Sequence, residues 1–220
     1  MTPEQVHRLA VVRRVEAATA QGISDFNQIL LHCEGADPAL VAECLTQGSR
    51  AGPVPVASSA AHTRELFVRL PAPDPFRSQW WFTGETVDHL AKRAIAVANG
   101  ERVLCLGTPT IGHELLNAGL GALVLDVDQH VVDAVRSLSK ETIAEQYDVA
   151  DPMAPELEAS FRVAVIDPPW YDAVFRAFLG RALWALTENG ELFCTLPPLL
   201  TRPGIDGFRR DLIAELIATG

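Results

Sequence analysis

"VAVIDPPWYDAVFRAF", residues 163–178, runs an apolar stretch straight into Asp167-Pro168-Pro169-Trp170 and then into a helical pattern. A short apolar run without polar alternation reads as a strand buried on both faces, as in a parallel sheet covered by helices. The strand must end where the prolines begin, because proline has no amide to give to a ladder. A turn there needs only one proline, and a core needs neither the carboxylate nor an exposed tryptophan. The choice of residues points to a ligand.

Working outward, strand and helix alternate from residue 76 onward. "RVLCLG", "GALVLDVD", "FRVAVIDPP" and "GELFCTLPP" read as four strands. "GETVDHLAKRAIAVANG", "GHELLNAG", "QHVVDAVRSLSKE" and "YDAVFRAFLGRALWALTENG" read as the helices between them. Apolar strands separated by helices predict an α/β domain with a parallel sheet over residues 76–220. Ligands of such sheets bind at the carboxyl ends of the strands. Every unusual polar residue in this half falls at one of those ends.

Before the sheet lie two other textures. Residues 1–50 predict a small helical domain of three short helices, helix-turn-helix-like in outline. Thr2 caps the first helix, Pro3 opens it, Gln5 completes a capping box and Gly22 stops it. Residues 23–49 hold no Lys or Arg, whereas Asp25, Glu34, Asp37 and Glu43 are acidic. A helix that reads DNA needs cations for phosphates and bases, so packing against the main domain or a partner is the expectation here. Residues 51–75 hold five of the 15 prolines and read as a linker, with "ELFVRL" a short strand inside it.

The totals set further bounds. The formal net charge of -10 removes the broad basic footprint of a general nucleic-acid binder and favours cationic partners. No apolar run is long enough to span a membrane, and no signal peptide opens the chain. Cys33, Cys44, Cys105 and Cys194 lie far apart, without the spacing of a zinc site. No metal is expected, and the cysteines read as free thiols in a reducing, cytoplasmic setting.

The strand ends carry the chemistry. Gly107 lets the first strand turn sharply and lets a ligand approach its backbone. Asp126, about 20 residues beyond the glycine, can accept both hydroxyls of a ribose. Asp128 fits a helix N-cap better. Asp148 can accept from an adenine amino group, or it is a turn residue. Asp167 and the Pro168 carbonyl can each hold one N–H of a primary amine. Held by two acceptors, the nitrogen turns its lone pair toward an electrophilic carbon, and the positive charge that grows on it is stabilised. Pro168 and Pro169 stiffen the loop, and Trp170 offers a face for a planar base or a cation.

These residues resemble the [D/N]PP[Y/F/W] motif of S-adenosylmethionine-dependent amino-methyltransferases of the N6-adenine type, which have the Rossmann-like class I fold. "SQWWFTGETVDHLA" is similar to the cofactor-binding segment of that group, and "CLGTP" and "DVD" resemble its next two elements. The likeness covers residues 79–200. It extends to elongation-factor lysine methyltransferases, to the zinc-knuckle ribosomal-RNA adenine methyltransferase, and to branched-chain polyamine synthases with a helical N-terminal domain. It implies that S-adenosyl-L-methionine is the cofactor, with Phe82, Thr83 and Thr86 on the methionine part and Gly107 beneath it. It further implies Asp126 on the ribose, Asp148 on the adenine, and Asp167, Pro168, Pro169 and Trp170 on the acceptor amine.

Two departures stand out. "LGTPTIG" replaces the usual acidic glycine loop, so the methionine ammonium needs another carboxylate, for which Glu85 is the candidate. The polyamine enzymes carry an acidic stretch at that position, which counts against an aminopropyltransferase. After its fourth strand the fold normally adds a helix and two antiparallel strands. "RRDLIAELIATG" supplies the helix and the sequence then ends, so the last two strands are expected to be lacking, whether cut off or supplied from elsewhere. The open edge would invite an oligomer or a partner chain. The expectation is N-methylation of a primary amine, adenine N6 in nucleic acid first. A protein lysine, a polyamine, or a non-catalytic scaffold of the same fold are the alternatives.

Overall fold

The computed structural model describes residues 1–48, 66, 69–138 and 143–219. They fall into two units, residues 1–59 with 196–220 and residues 60–195.

The larger unit is built on β1 (Val103–Leu106), β2 (Ala122–Asp126), β3 (Ile143–Gln146), β4 (Phe161–Ile166) and β5 (Leu186–Cys194). All neighbours pair in parallel, in the order β3-β2-β1-β4-β5. Four of these strands are the apolar runs of the sequence. β3, "IAEQ", is the fifth and was not expected: it is an edge strand whose only buried residue is Ala144. Its backbone pairing with β2 leaves no apolar run to read.

Side chains alternate across the sheet as strand geometry requires. Val103, Cys105, Val124, Val163 and Val165 face one side, against α4 (Gly84–Ala98), α5 (Pro109–Asn117) and α6 (Gln129–Arg136). Leu104, Leu106, Leu125, Ala164 and Ile166 face the other, with Ala182 and Ala185 of α7 (Asp172–Ala185). The smaller side chains lie under the three-helix layer, where helices come close. Gly112 of α5 marks the closest approach, since a Cβ there would stand 2.3 Å from Val124 Cγ2.

α7 ends at Ala185, before the expected stop at Asn189-Gly190, and the chain turns directly into β5. Leu186 pairs with Phe161, and Glu191 then pairs with Val163, so Thr187–Gly190 bulge out opposite a single residue.

The smaller unit contains α1 (Pro3–Ala20), α2 (Phe26–His32), α3 (Pro38–Gly48) and α8 (Ile205–Thr219). The Thr2–Gln5 capping box forms as expected, and Gly22 adopts φ 80° just past the end of α1. Val11, Val15, Ile29, Cys33, Val41 and Cys44 make its core, joined by Leu200. Arg8 pairs with Glu43 at 2.8 Å on the surface, where such pairs add little stability. Most of the expected linker and of "ELFVRL" lies outside the described residues; Leu66 and Arg69 are helical rather than extended. The four cysteines are free, three of them buried and Cys194 half-buried. No described helix is long and apolar enough to cross a membrane.

Candidate active site

The strand register brings the polar residues into one row. Leu106 stands opposite Leu125 and Ile166, Asp126 opposite Gln146, and Ile166 opposite Cys194. One step further along the strands, the row across the sheet reads Gln146, Asp126, Gly107, Asp167 and Thr195. Backbone bonds carry the ladder through it: Gly107 N–H donates to Leu125 O (2.8 Å), Tyr147 N–H to Asp126 O (2.9 Å) and Thr195 N–H to Ile166 O (3.2 Å). A cavity of about 230 Å³ opens over this row. Its lining includes Gly107, Asp126, Asp148, Asp167 and Pro169, together with Arg77–Trp81, Tyr147 and Phe178.

Gly107 takes φ 68°, a conformation L side chains rarely adopt. A Cβ at this position would lie 3.1 Å from Phe178 Cε1 and 3.5 Å from the Asp167 carbonyl. Glycine therefore keeps the cavity floor low between the ends of β1 and β4.

Asp126 is 7% exposed, lines the cavity, and accepts the Asp128 N–H at its Oδ1 at 2.9 Å. Burial, reinforced by the Asp128 charge, pushes its carboxyl up to about 6, against the bond from Asp128 N–H and the pull of Arg77. Asp128 is the N-cap the sequence suggested, with Oδ1 accepting from His130 N–H at 2.9 Å. Its Oδ2 accepts from Gln79 Nε2 at 3.1 Å and lies 3.3 Å from Arg77 Nη1. Burial alone would raise the Asp128 carboxyl, but these donors and the nearby cations together hold it below its ordinary value. Gln79 Oε1 in turn accepts from Asp74 N–H at 3.2 Å, which ties the cavity wall at Arg77–Trp81 to the start of α6.

Asp148 is exposed at the rim and closes a turn, with Oδ1 accepting from Ala150 N–H at 2.9 Å. Asp167 is half-buried; burial raises its carboxyl above the usual value, and a hydrogen bond from the Thr195 hydroxyl to Oδ1 opposes the rise. Burial, reinforced by the Asp167 charge, pushes the adjacent Cys194 thiol up to about 12, so it stays protonated.

Phe82, Thr83, Glu85, Thr86, Pro168 and Trp170 are not among the lining residues. Thr83 caps α4 and bonds to Thr86 through both the Thr86 N–H (3.3 Å) and its hydroxyl (3.0 Å), while Phe82 packs on the core. The aromatic segment does line the cavity, but through residues 78–81. The sequence does not single out Thr195, Tyr147 or Arg77, and Gln79 enters it only as part of the aromatic segment. The first two are legible only once the register is known, because each is simply the residue after a strand end.

Comparison with known proteins agrees with this architecture. Residues 74–196 match the model of a family described as "Probable N6-adenine methyltransferase". A stretch of 125 residues is 30% identical to EEF1A lysine methyltransferase 1 of Gallus gallus, covering 54% of this chain and 56% of that protein. The chain thus spans about half the length of the curated relative it matches. Two solved structures of the branched-chain polyamine synthase of Thermus thermophilus share the fold, both complexed with N4-aminopropylspermidine and 5'-methylthioadenosine. The C9 mutein matches with a TM-score of 0.67 and 19% identity, over 93% of this chain and 72% of its own. The other matches with a TM-score of 0.53 and 19% identity, over 81% and 70%. At that identity the likeness is one of fold.

Proposed function

The chain belongs to the family of probable N6-adenine methyltransferases, and from that premise we propose that it transfers a methyl group from S-adenosylmethionine to a primary amine, adenine N6 of a nucleic acid. Its Rossmann-like class I sheet supplies the frame. The observation that carries the reading is the row at the strand ends: a desolvated Asp167 beside the glycine floor at Gly107, with the buried Asp126 on the other side.

The residues fit an adenosyl ligand. A cradle that any Cβ at Gly107 would fill accepts its middle, and Asp126 Oδ2 suits a ribose hydroxyl. Asp148 at the rim suits the base. When bound, the cofactor supplies an electrophilic methyl group.

The chain's own part is to hold the acceptor. Asp167 accepts one N–H of the incoming amine; the motif gives the other to the carbonyl of Pro168, which is not itself in the lining but sits between the lining residues Asp167 and Pro169. The pair orients the nitrogen lone pair and stabilises the positive charge that grows on it during transfer. The amino group of adenine is already neutral, so it needs no deprotonation before attack and sheds its proton to solvent after transfer; an alkylammonium must lose a proton first, which favours adenine over lysine or a polyamine. Trp80 and Trp81 in the cavity wall offer planar faces to a base that has left its stack.

Incubation with tritiated-methyl cofactor against single-stranded RNA, DNA, cell-extract protein and spermidine tests the reading. Label in adenine N6 supports it. Label in protein or spermidine alone reassigns the acceptor, and calorimetry without heat for S-adenosylhomocysteine removes the cofactor assignment.

A further inference from the structure

We propose that Thr195 is a positioning residue for the acceptor amine: its hydroxyl occupies one oxygen of Asp167 so that the other is left, and aimed, for the incoming N–H. The inference rests on the assignment of Asp167 to the amine.

The geometry comes from β5. Cys194 is in register with Ile166, so Thr195 lies beside Asp167 in the row. Its N–H donates to Ile166 O at 3.2 Å, which extends the ladder one residue beyond the strand and fixes the backbone that carries the hydroxyl. The hydroxyl donates to Asp167 Oδ1. The backbone of Asp167 is held less firmly, its own N–H reaching Leu106 O at 3.4 Å. Without the Thr195 bond, a carboxylate on a single short stem would be free to rotate away from the amine position. Preorganisation of an acceptor is where a site of this kind gains rate.

The same bond has an electrostatic side. Burial works against ionisation of Asp167, and the Thr195 hydroxyl is the influence opposing it. The other ionisable groups around this end of the cavity are the Cys194 thiol, which stays neutral, and Arg77, Asp126, Tyr147 and Asp148 in the lining. Arg77 is the cation among them, and it pairs with Asp74 at 3.4 Å and Asp128 at 3.3 Å. The hydroxyl therefore serves both the direction and the charge of the carboxylate.

The test begins without substrate or cofactor. The Asp167 carboxyl resonance, identified by its loss in Asp167→Asn, is titrated by carbon NMR in the wild type, Thr195→Val and Thr195→Ser. The midpoint moves upward in Thr195→Val and returns toward wild type in Thr195→Ser. Methyl transfer to an adenine-containing RNA oligonucleotide then falls about tenfold or more in kcat in Thr195→Val, the loss expected for a hydrogen bond to a charged group. The acid limb of its pH profile moves upward, KM for the cofactor is unchanged, and serine restores most of the rate. An unmoved titration midpoint in a folded Thr195→Val protein overturns the proposal, as does a wild-type kcat. Should Thr195→Val not fold, Thr195→Ala and Thr195→Ser carry the same comparison. Full activity in Asp167→Ala strikes instead at the assignment of Asp167, so the two failures are told apart.

Discussion

The two halves of the strand-end row hold their carboxylates by different means. On the β2 side, Asp126 is restrained by the N–H of Asp128, two residues further along the same chain. On the β4 side, Asp167 is restrained by the Thr195 hydroxyl, which is 28 residues away and arrives only through the pairing of β5. Both carboxylates are pushed above their ordinary values by burial. The first restraint is local and forms whenever the turn forms. The second depends on the tertiary register, which makes the β4 half the more sensitive to distant change.

The largest effect that would sharpen the contrast is Asp167→Ala. It should lower methyl transfer on the order of a hundredfold or more, the scale of removing one preorganised electrostatic partner, while calorimetry shows unchanged affinity for S-adenosylhomocysteine. Asp126→Asn should do the reverse. Affinity for S-adenosylhomocysteine falls about tenfold or more, and kcat at saturating cofactor is largely kept. Equal effects of the two substitutions on both quantities would erase the distinction between the halves.

The pH dependence of Asp126 gives a further handle. Its carboxyl is raised from 3.8 to about 6 in the folded protein, so between those values the native state keeps a proton that the unfolded chain has lost. Its contribution to stability therefore declines as pH rises through that window, and the full penalty of a buried charge is present at pH 7. Asp126→Asn should raise thermal stability at pH 7 by about 1–3 kcal/mol while weakening binding, the usual opposition of stability and function. S-adenosylhomocysteine should bind more weakly at pH 5 than at pH 7.5 in the wild type, and that difference should shrink in Asp126→Asn. Gly112→Ala, outside the cavity, should cost about 1–3 kcal/mol in denaturant unfolding, because the added methyl meets Val124. Smallest is Asp128→Ala, about 1 kcal/mol for a lost N-cap. Its effect on cofactor affinity reports how far the Gln79 and Arg77 bonds steady the cavity wall.

The same contrast accounts for what could be read in advance. Gly107, Asp126 and Asp167 announce themselves because each is a polar or special residue at the end of an apolar run, and the run itself predicts the strand. Asp128 was readable as a cap for the same local reason. Thr195 follows an equally plain strand, yet a threonine after "LFC" carries no signal until β5 is placed next to β4. β3 was missed because an edge strand with one buried side chain owes its existence to β2, not to its own residues. The Gln79–Asp128 clamp joins residues 49 apart and is likewise a property of the assembled sheet. The resemblance pointed to the right aromatic segment, but the structure lines the cavity with residues 78–81 of it, while Thr83 and Thr86 serve the start of α4.

The bulge at Thr187–Gly190 divides β5 into two separately paired stretches. Only the second, Glu191–Cys194, sets where Thr195 arrives. The bulge is tight: a Cβ at Gly190 would stand 2.9 Å from Leu186 Cδ2 and 3.0 Å from Thr187 O, so side chains are kept out of it. The offset between the end of α7 and the Thr195 position is thus fixed by four closely folded residues, and a change of their number would be felt at the row.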